Sequence, residues 1–234
     1  MTSNREIPQH RPSDNSVEPS THNEEEHPTS PPRPPQFLNK KQYVQVYYNH
    51  LPHWDQEYKT QFVTFRLNDS LPQVRLKELD VIKRQWIANH PKPWSQKTSD
   101  EYNHLIRNKC DKWLDQGMGS CVLRRPDIRQ VVEQAIMHYK GVRYDIYAFV
   151  IMPNHVHILL SPLDGRPISE TLSRVKGYSA RVINSMMETT GTLWQKDTFG
   201  RIVRDGYNFD QYINYIRANP RNLSPSDYTL NIFV

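Results

Sequence analysis

Cysteine is nearly absent from this chain: of 234 residues, only Cys110 and Cys121 carry thiols. They stand too far apart for a CxxC pair, and no second pair exists to complete a structural zinc site. The two are expected to be reduced thiols of a cytosolic protein, so the predicted location is cytoplasmic. Long hydrophobic runs are missing as well. The N-terminus shows no apolar stretch of the secretory kind, and no window of about 20 apolar residues occurs, which argues against secretion and membrane insertion. Apolar side chains make up 36% of the sequence. That fraction is low because part of the chain is not core material, and the length suits one ordinary domain with its own core.

The composition divides at about residue 36. Residues 1–36 hold 8 of the 18 prolines, and Ser, Thr, Glu and Asn fill most of the rest. Such a segment cannot bury enough apolar area to offset chain entropy, so a disordered tail is expected over 1–36 and a single domain over 37–234. The PPRPP run at 31–35 reads as a stiff spacer in preference to a ligand for an SH3-like partner. The same 36 residues carry 3 basic and 6 acidic side chains, which leaves 27 basic against 19 acidic in the remainder, a net of +8. A basic folded part leans toward nucleic acid through counterion release.

Periodicity gives the elements. FVTFRL at 62–67 alternates and is rich in β-branched and aromatic residues, so it predicts a strand. Helical spacing follows from Val74 to Ala88, from about Tyr102 to Leu114, and, opened by Pro126, over about 127–140. IYAFVIM at 146–152 and HVHILLS at 155–161 are strands whose two-residue link, Pro153-Asn154, makes an antiparallel hairpin. A helix over about 169–187, a short strand RIVR at 201–204 and a last helix over about 209–218 complete the chain. The order predicts an α+β fold: a ferredoxin-like sheet of four antiparallel strands with helices on one face, a helical insertion at about 74–114, and an extra C-terminal helix.

Within that frame two pairs of residues stand out. His155 and His157, at i and i+2 on a strand, leave the same face about 6.6 Å apart along the chain while Val156 points the other way. The pair suits one metal ion, or two rings satisfied by hydrogen bonds. On the last helix Tyr215 and Asn219 stand at i and i+4 and share one face. An amide oxygen is a reasonable third ligand for a divalent ion, with a phenol one turn away; with two imidazoles in the set, Mn²⁺ is as admissible as Mg²⁺. The alternatives are a core aromatic at Tyr215 and a helix C-cap at Asn219 before Pro220.

Three blocks, FVIMPNHVHILLSP at 149–162, LWQ at 193–195 with RIVRD at 201–205, and YIRANP at 215–220, resemble the hallmarks of REP-associated tyrosine transposases, part of the wider HUH superfamily of single-strand nucleases. FVTFRLNDSLP at 62–72 is similar to the opening strand of that family, so the resemblance covers most of 60–220. It implies that His155, His157 and Asn219 hold a divalent metal, Mg²⁺ or Mn²⁺, that Tyr215 is the nucleophile, and that single-stranded or hairpin DNA is cut and rejoined through a 5′-phosphotyrosine with a free 3′-hydroxyl. Tyr212 falls outside the YIxxNP pattern, and Tyr178 lies on the earlier helix, as a packing or DNA-facing residue. Thr198 and Gly200 depart from the aromatic residue and acid common between WQ and RIVRD, and the tail after Pro220 lacks the usual apolar-small run.

Arg174, Lys176, Arg181, Lys196, Arg201, Arg204 and Arg217 surround these blocks and are candidate phosphate contacts, or a solvated basic face. Monomer and homodimer remain equally open. The competing functions are a non-catalytic nucleic-acid-binding module or a domesticated regulator on the same fold. A metallo-hydrolase of small phosphoesters would lack the further His and Asp ligands such enzymes gather.

Overall fold

A computed structural model describes residues 31–234 apart from 40, 42–44, 49–51 and 197, and for 45–48, 52–55 and 96 it describes the backbone alone. The expected disorder of 1–36 falls mostly on residues outside this set. Residues 31–36 have no regular structure. Just beyond, Leu38 N donates to Val203 O at 2.9 Å, and Gln36 N donates to Thr60 Oγ1 at 2.9 Å.

In chain order the elements are β1 (Gln45–Tyr48), β2 (Pro52–Asp55), β3 (Gln61–Arg66), α1 (Gln73–Asn89), α2 (Gln96–Leu114), α3 (Pro126–Met137), β4 (Tyr144–Ile151), β5 (His155–Pro162), α4 (Ile168–Met186), β6 (Phe199–Ile202), α5 (Gly206–Ala218) and β7 (Thr229–Ile232). Strands β1 and β2 form a separate antiparallel hairpin that the sequence pattern did not announce. The other five make one antiparallel sheet in the order β6-β3-β5-β4-β7.

Every residue of β4 and β5 is buried, which explains their nearly unbroken apolar sequences: both sheet faces are covered. On one face Val63, Phe65, Phe149, Val156, Ile158 and Leu160 pack against α3 and α4 through Val132, Ile136, Leu172, Val175 and Ile183. On the other, Phe62, Val150, Met152 and Leu159 receive α5 through Phe209, Tyr212, Ile213 and Ile216. Those four positions are spaced i, i+3, i+4 and i+7, one helical stripe, and full burial of each such side chain is worth about 1.5–3 kcal/mol. Asp205 starts α5 by accepting from Asn208 N at 2.8 Å, satisfying one of the helix's orphan donors.

Two expectations change. The sheet has five strands, not four, because the tail after Pro220 returns to the open edge of β4 as β7, with Ala148 opposite Ile232 and Ile151 opposite Thr229. Leu230 and Ile232 join the α5 side, while Asn231 reaches the α3 side and bonds Glu133 at 2.9 Å, the alternation a strand requires. The helices are also not confined to one face. α3 and α4 cover one and α5 the other, and α1 with α2 builds a third cluster around Leu71, Leu79, Tyr102, Ile106, Trp113 and Leu114. Among the described residues no helix is long and apolar enough to cross a membrane.

Candidate active site

The β5 register places His157 opposite Thr64 and His155 opposite Arg66 on β3. Strand alternation then turns both imidazoles toward α5, and they are all but fully buried. Their Nε2 atoms stand 3.1 Å apart. Each ring is fixed from behind. His155 Nδ1 meets Asn154 Oδ1 at 2.7 Å, and His157 Nδ1 meets Thr64 Oγ1 at 2.7 Å.

The Asn154 amide is oriented because its Nδ2 donates to Leu114 O at 3.2 Å and Met118 O at 3.0 Å. Its oxygen therefore accepts from His155 Nδ1–H, and His155 Nε2 is left with a bare lone pair. When Thr64 likewise accepts from His157, two lone pairs face one point, an arrangement that asks for a cation. Burial holds the His155 imidazole down to about 3, and holds His157 well below its ordinary value with help from the positive fields of His155 and Arg107. Both rings are neutral at physiological pH, the form that ligates metal.

Tyr215 approaches from α5. Its hydroxyl lies 3.4 Å from His157 Nε2, and its ring makes an edge contact with Phe62 at 5.7 Å. One turn on, Asn219 Oδ1 is buried with no hydrogen-bond partner. An orphaned amide oxygen on a residue that lines the same cleft as His155 fits a third ligand, and nitrogens 3.1 Å apart can share one ion with bonds of about 2.1 Å. Among the described residues no group of three or more His, Cys, Asp and Glu side chains is placed to hold a metal, so the set rests on the two imidazoles and the amide. Tyr215, His155 and Asn219 line an open cleft of about 310 Å³ whose walls also carry Asp115, Arg124 and Arg221.

Tyr212 is differently placed. It stacks flat on Phe62 with centroids 4.3 Å apart, and its hydroxyl accepts from Arg107 Nη1 at 3.2 Å. Tyr178 is half exposed on α4, across the sheet.

Two α2 residues that the sequence pattern did not single out border the tyrosine. The Asp111 charge acts on the Tyr215 phenol, and Arg107 Nε stands 3.9 Å from Asp111 Oδ2. Burial pushes the Asp111 carboxyl up to about 6 against the pull of Arg107. Burial, reinforced by the Asp111 and Asp115 charges, pushes the Tyr215 phenol far above its ordinary value.

The candidate phosphate contacts scatter. Arg174 is exposed on α4 with Glu170 at 3.5 Å, and Arg181 is exposed on the same helix. Lys176 is buried and donates to Lys196 O at 2.9 Å and Thr198 Oγ1 at 3.2 Å, while Lys196 itself is exposed. These four belong to the α4 side of the sheet. Arg201 and Arg204 line a groove of about 750 Å³ against α2, where Arg204 pairs with Asp100 at 2.6 Å. Arg217 is exposed on α5 and bonds Asn214 at 3.3 Å. At the cleft itself the cations are Arg124, 3.4 Å from Asp227, and Arg221, neither of which the motif blocks suggested.

Residues 122–219 match the family model described as "Transposase IS200 like". The matched stretch contains His155, His157, Tyr215 and Asn219. Thr64, Arg107 and Asp111 lie outside it. Among solved structures, the chain is similar to a REP-associated tyrosine transposase bound to a REP hairpin, with 14% identity and a TM-score of 0.41 over 76% of this chain and 74% of that one. It is also similar to a candidate transposase from Deinococcus radiodurans R1, with 15% identity and a TM-score of 0.28 over 68% of this chain and 89% of that one. No curated protein matches the chain.

Proposed function

We propose that this protein cuts and rejoins single-stranded or hairpin DNA, with Tyr215 as nucleophile and a divalent ion, Mg²⁺ or Mn²⁺, held by His155, His157 and Asn219. One observation carries the reading: the Tyr215 hydroxyl lies 3.4 Å from His157 Nε2, on a cleft shared with His155 and with Asn219, whose amide oxygen is buried and unpartnered. The family of residues 122–219 and the three motif blocks support a transposase of the REP-associated kind.

The chemistry follows from the groups. The phenol is protonated at neutral pH and must lose its proton as it attacks phosphorus. Its ring is fixed between Phe62 and the α5 backbone, so attack requires a phosphodiester that can bend into the cleft, which an unpaired strand offers and a plain duplex does not. When bound, the ion supplies Lewis-acid stabilisation of the charge that builds on the phosphate oxygens. Arg124 and Arg221 stand where the strand enters and can neutralise adjacent phosphates. The phosphotyrosine ester conserves the energy of the broken linkage, so a second 3′-hydroxyl can reverse the step without ATP.

The deciding assay incubates the protein with end-labelled hairpin DNA carrying a single-stranded flank, in Mn²⁺, and looks for an adduct that survives denaturation. The expected adduct disappears with a chelator and in Tyr215→Phe. Equal cleavage of blunt duplex, or no adduct on any single strand, would overturn the proposal.

A further inference from the structure

Resting on that reading for its substrate, we infer that the groove between α2 and β6 is a second DNA subsite, which holds an unpaired strand running on from the cleft at Tyr215. The groove encloses about 750 Å³ and shares no residue with the cleft that carries the candidate metal ligands. One wall is a stripe of α2 in which His104, Asn108 and Lys112 recur every four residues, with Leu105 and Lys109 beside them. The other wall is Arg201 on β6 and Arg204 just after it.

Charge selects the occupant. Lys109, Lys112, Arg201 and Arg204 face only two carboxylates on the groove walls, Asp100 and Glu101. Arg204 is engaged by Asp100 at 2.6 Å and Lys109 by Glu78 at 3.4 Å, but both pairs are solvated, and such pairs yield readily to a phosphate. Neither Lys112 nor Arg201 forms a salt bridge among the described residues. Lys112 is exposed in the last turn of α2, and Arg201 gives one guanidinium N–H to the Asp100 carbonyl at 3.3 Å. Between the cations, Trp86 and Leu105 add apolar surface. Such a groove suits unpaired nucleotides, whose phosphates meet the charges while their bases cover the apolar part. A plain duplex keeps its bases stacked inside and leaves that surface unmet.

Position ties the groove to the cleft. The same helix borders both: residues from His104 to Lys112 face the groove, and Leu114 and Asp115 line the cleft. On the sheet side Arg201 stands opposite Phe62, the ring on which Tyr212 stacks at 4.3 Å and which Tyr215 meets edge-on at 5.7 Å. At a rise of about 1.5 Å per residue, Asp100 to Asp115 spans about 22 Å, or roughly six nucleotides at a stacked spacing of about 3.4 Å. A strand with its scissile phosphate at Tyr215 therefore reaches Lys112 after about one or two nucleotides and the far end of the groove after about six.

The test measures equilibrium binding by full-length protein, in a chelator so that no strand is cut, from about 50 to 200 mM salt. The probes are a labelled blunt hairpin and the same hairpin with an unpaired flank of about ten nucleotides at one end or the other. Lys112→Ala and Arg201→Ala should each lower the salt slope for the flanked hairpin by about 0.7–1, and together weaken its binding at least about tenfold, while the blunt hairpin loses less than about threefold. Lys112 is exposed, so its variant folds whatever becomes of Arg201→Ala. Arg166→Ala, which removes an exposed cation ahead of α4, should leave the slopes unchanged. A flanked-hairpin slope in Lys112→Ala within about 0.3 of wild type overturns the inference, as does an equal loss on the blunt hairpin or in Arg166→Ala. A flank that adds nothing to wild-type affinity at either end overturns it too. No binding to any flanked hairpin takes down both readings. A Tyr215 adduct with unchanged Lys112 and Arg201 variants takes down this one alone, and binding through the groove without an adduct takes down only the other.

Discussion

Replacing Asn154 by Ala tests how the fold holds the histidines. Its Nδ2 ties the end of α2 to the β4–β5 hairpin through Leu114 O and Met118 O, and its Oδ1 sets the His155 tautomer. The side chain is 1% exposed, so water cannot replace what is removed. Three hydrogen bonds go, and His155 Nδ1–H loses its acceptor while Leu114 O keeps its bond from Gly117 N at 2.9 Å. At about 0.5–1.5 kcal/mol net for each bond, with part of the cost relieved by relaxation around the small cavity, the loss should be about 2–4 kcal/mol. That is a large share of the roughly 5–15 kcal/mol that stabilises an ordinary domain, yet it leaves the protein folded. His155 Nδ1–H then has no fixed acceptor, the ring can turn or change tautomer, and Mn²⁺ affinity should fall about 10–100-fold.

Urea unfolding gives the first quantity, and titration of free Mn²⁺ by paramagnetic resonance, under conditions where the variant is folded, gives the second. Asn154→Asp separates them. Its carboxylate can still accept from His155 but cannot donate to the two carbonyls, so stability should fall while affinity is largely kept. Mn²⁺ affinity within threefold of wild type in folded Asn154→Ala would refute the claim that this amide sets the His155 lone pair.

Three further perturbations have distinct outcomes. Tyr215→Phe keeps the ring against Phe62 and should cost less than about 1.5 kcal/mol while abolishing the adduct, whereas Tyr212→Phe loses its bond from Arg107 and should retain the adduct to within about tenfold; the reverse result on a labelled hairpin would put the nucleophile one turn earlier. His157→Ala should end Mn²⁺-dependent cleavage yet lower hairpin affinity by less than about tenfold in a filter-binding assay, because phosphate contacts elsewhere are untouched. Arg129 is buried and donates to Leu123 O, Arg124 O, Ser226 O and Thr229 Oγ1, so Arg129→Met should loosen β7 and cost about 2–4 kcal/mol; an unchanged urea midpoint would show that the fifth strand is held by β4 alone.

Much of the site was legible because it depends on local periodicity. A period of two put His155 and His157 on one face, and a period of 3.6 put Tyr215 and Asn219 on one stripe, so short-range geometry named the cluster before any tertiary contact was known. Some information in the sequence went unread. Lys176 falls between Leu172, Val175, Ser179 and Ile183 on the buried stripe of α4, a spacing that points it inward. The tail TLNIF alternates as a strand should, but over too few residues to outweigh its loop-like neighbours. Thr64 was not readable in this way, since its role depends on a strand pairing across 93 residues.

The α2 contribution was the least legible, and the reason is geometric. Tyr102, Ile106, Trp113 and Leu114 bury one stripe of that helix against α1, so Arg107 and Asp111 read as an i, i+4 ion pair on a solvated face. Only the meeting with α5 gives the stripe meaning. Arg107 and Asp111, four apart, face Tyr212 and Tyr215, three apart, and the match sorts two neighbouring phenols by chemistry. Beside a guanidinium, the Tyr212 oxygen accepts a hydrogen bond and its own proton gains no base. Burial, reinforced by the Asp111 and Asp115 charges, holds the proton on the Tyr215 phenol. A helix outside the matched stretch thereby gives the two phenols of α5 different surroundings.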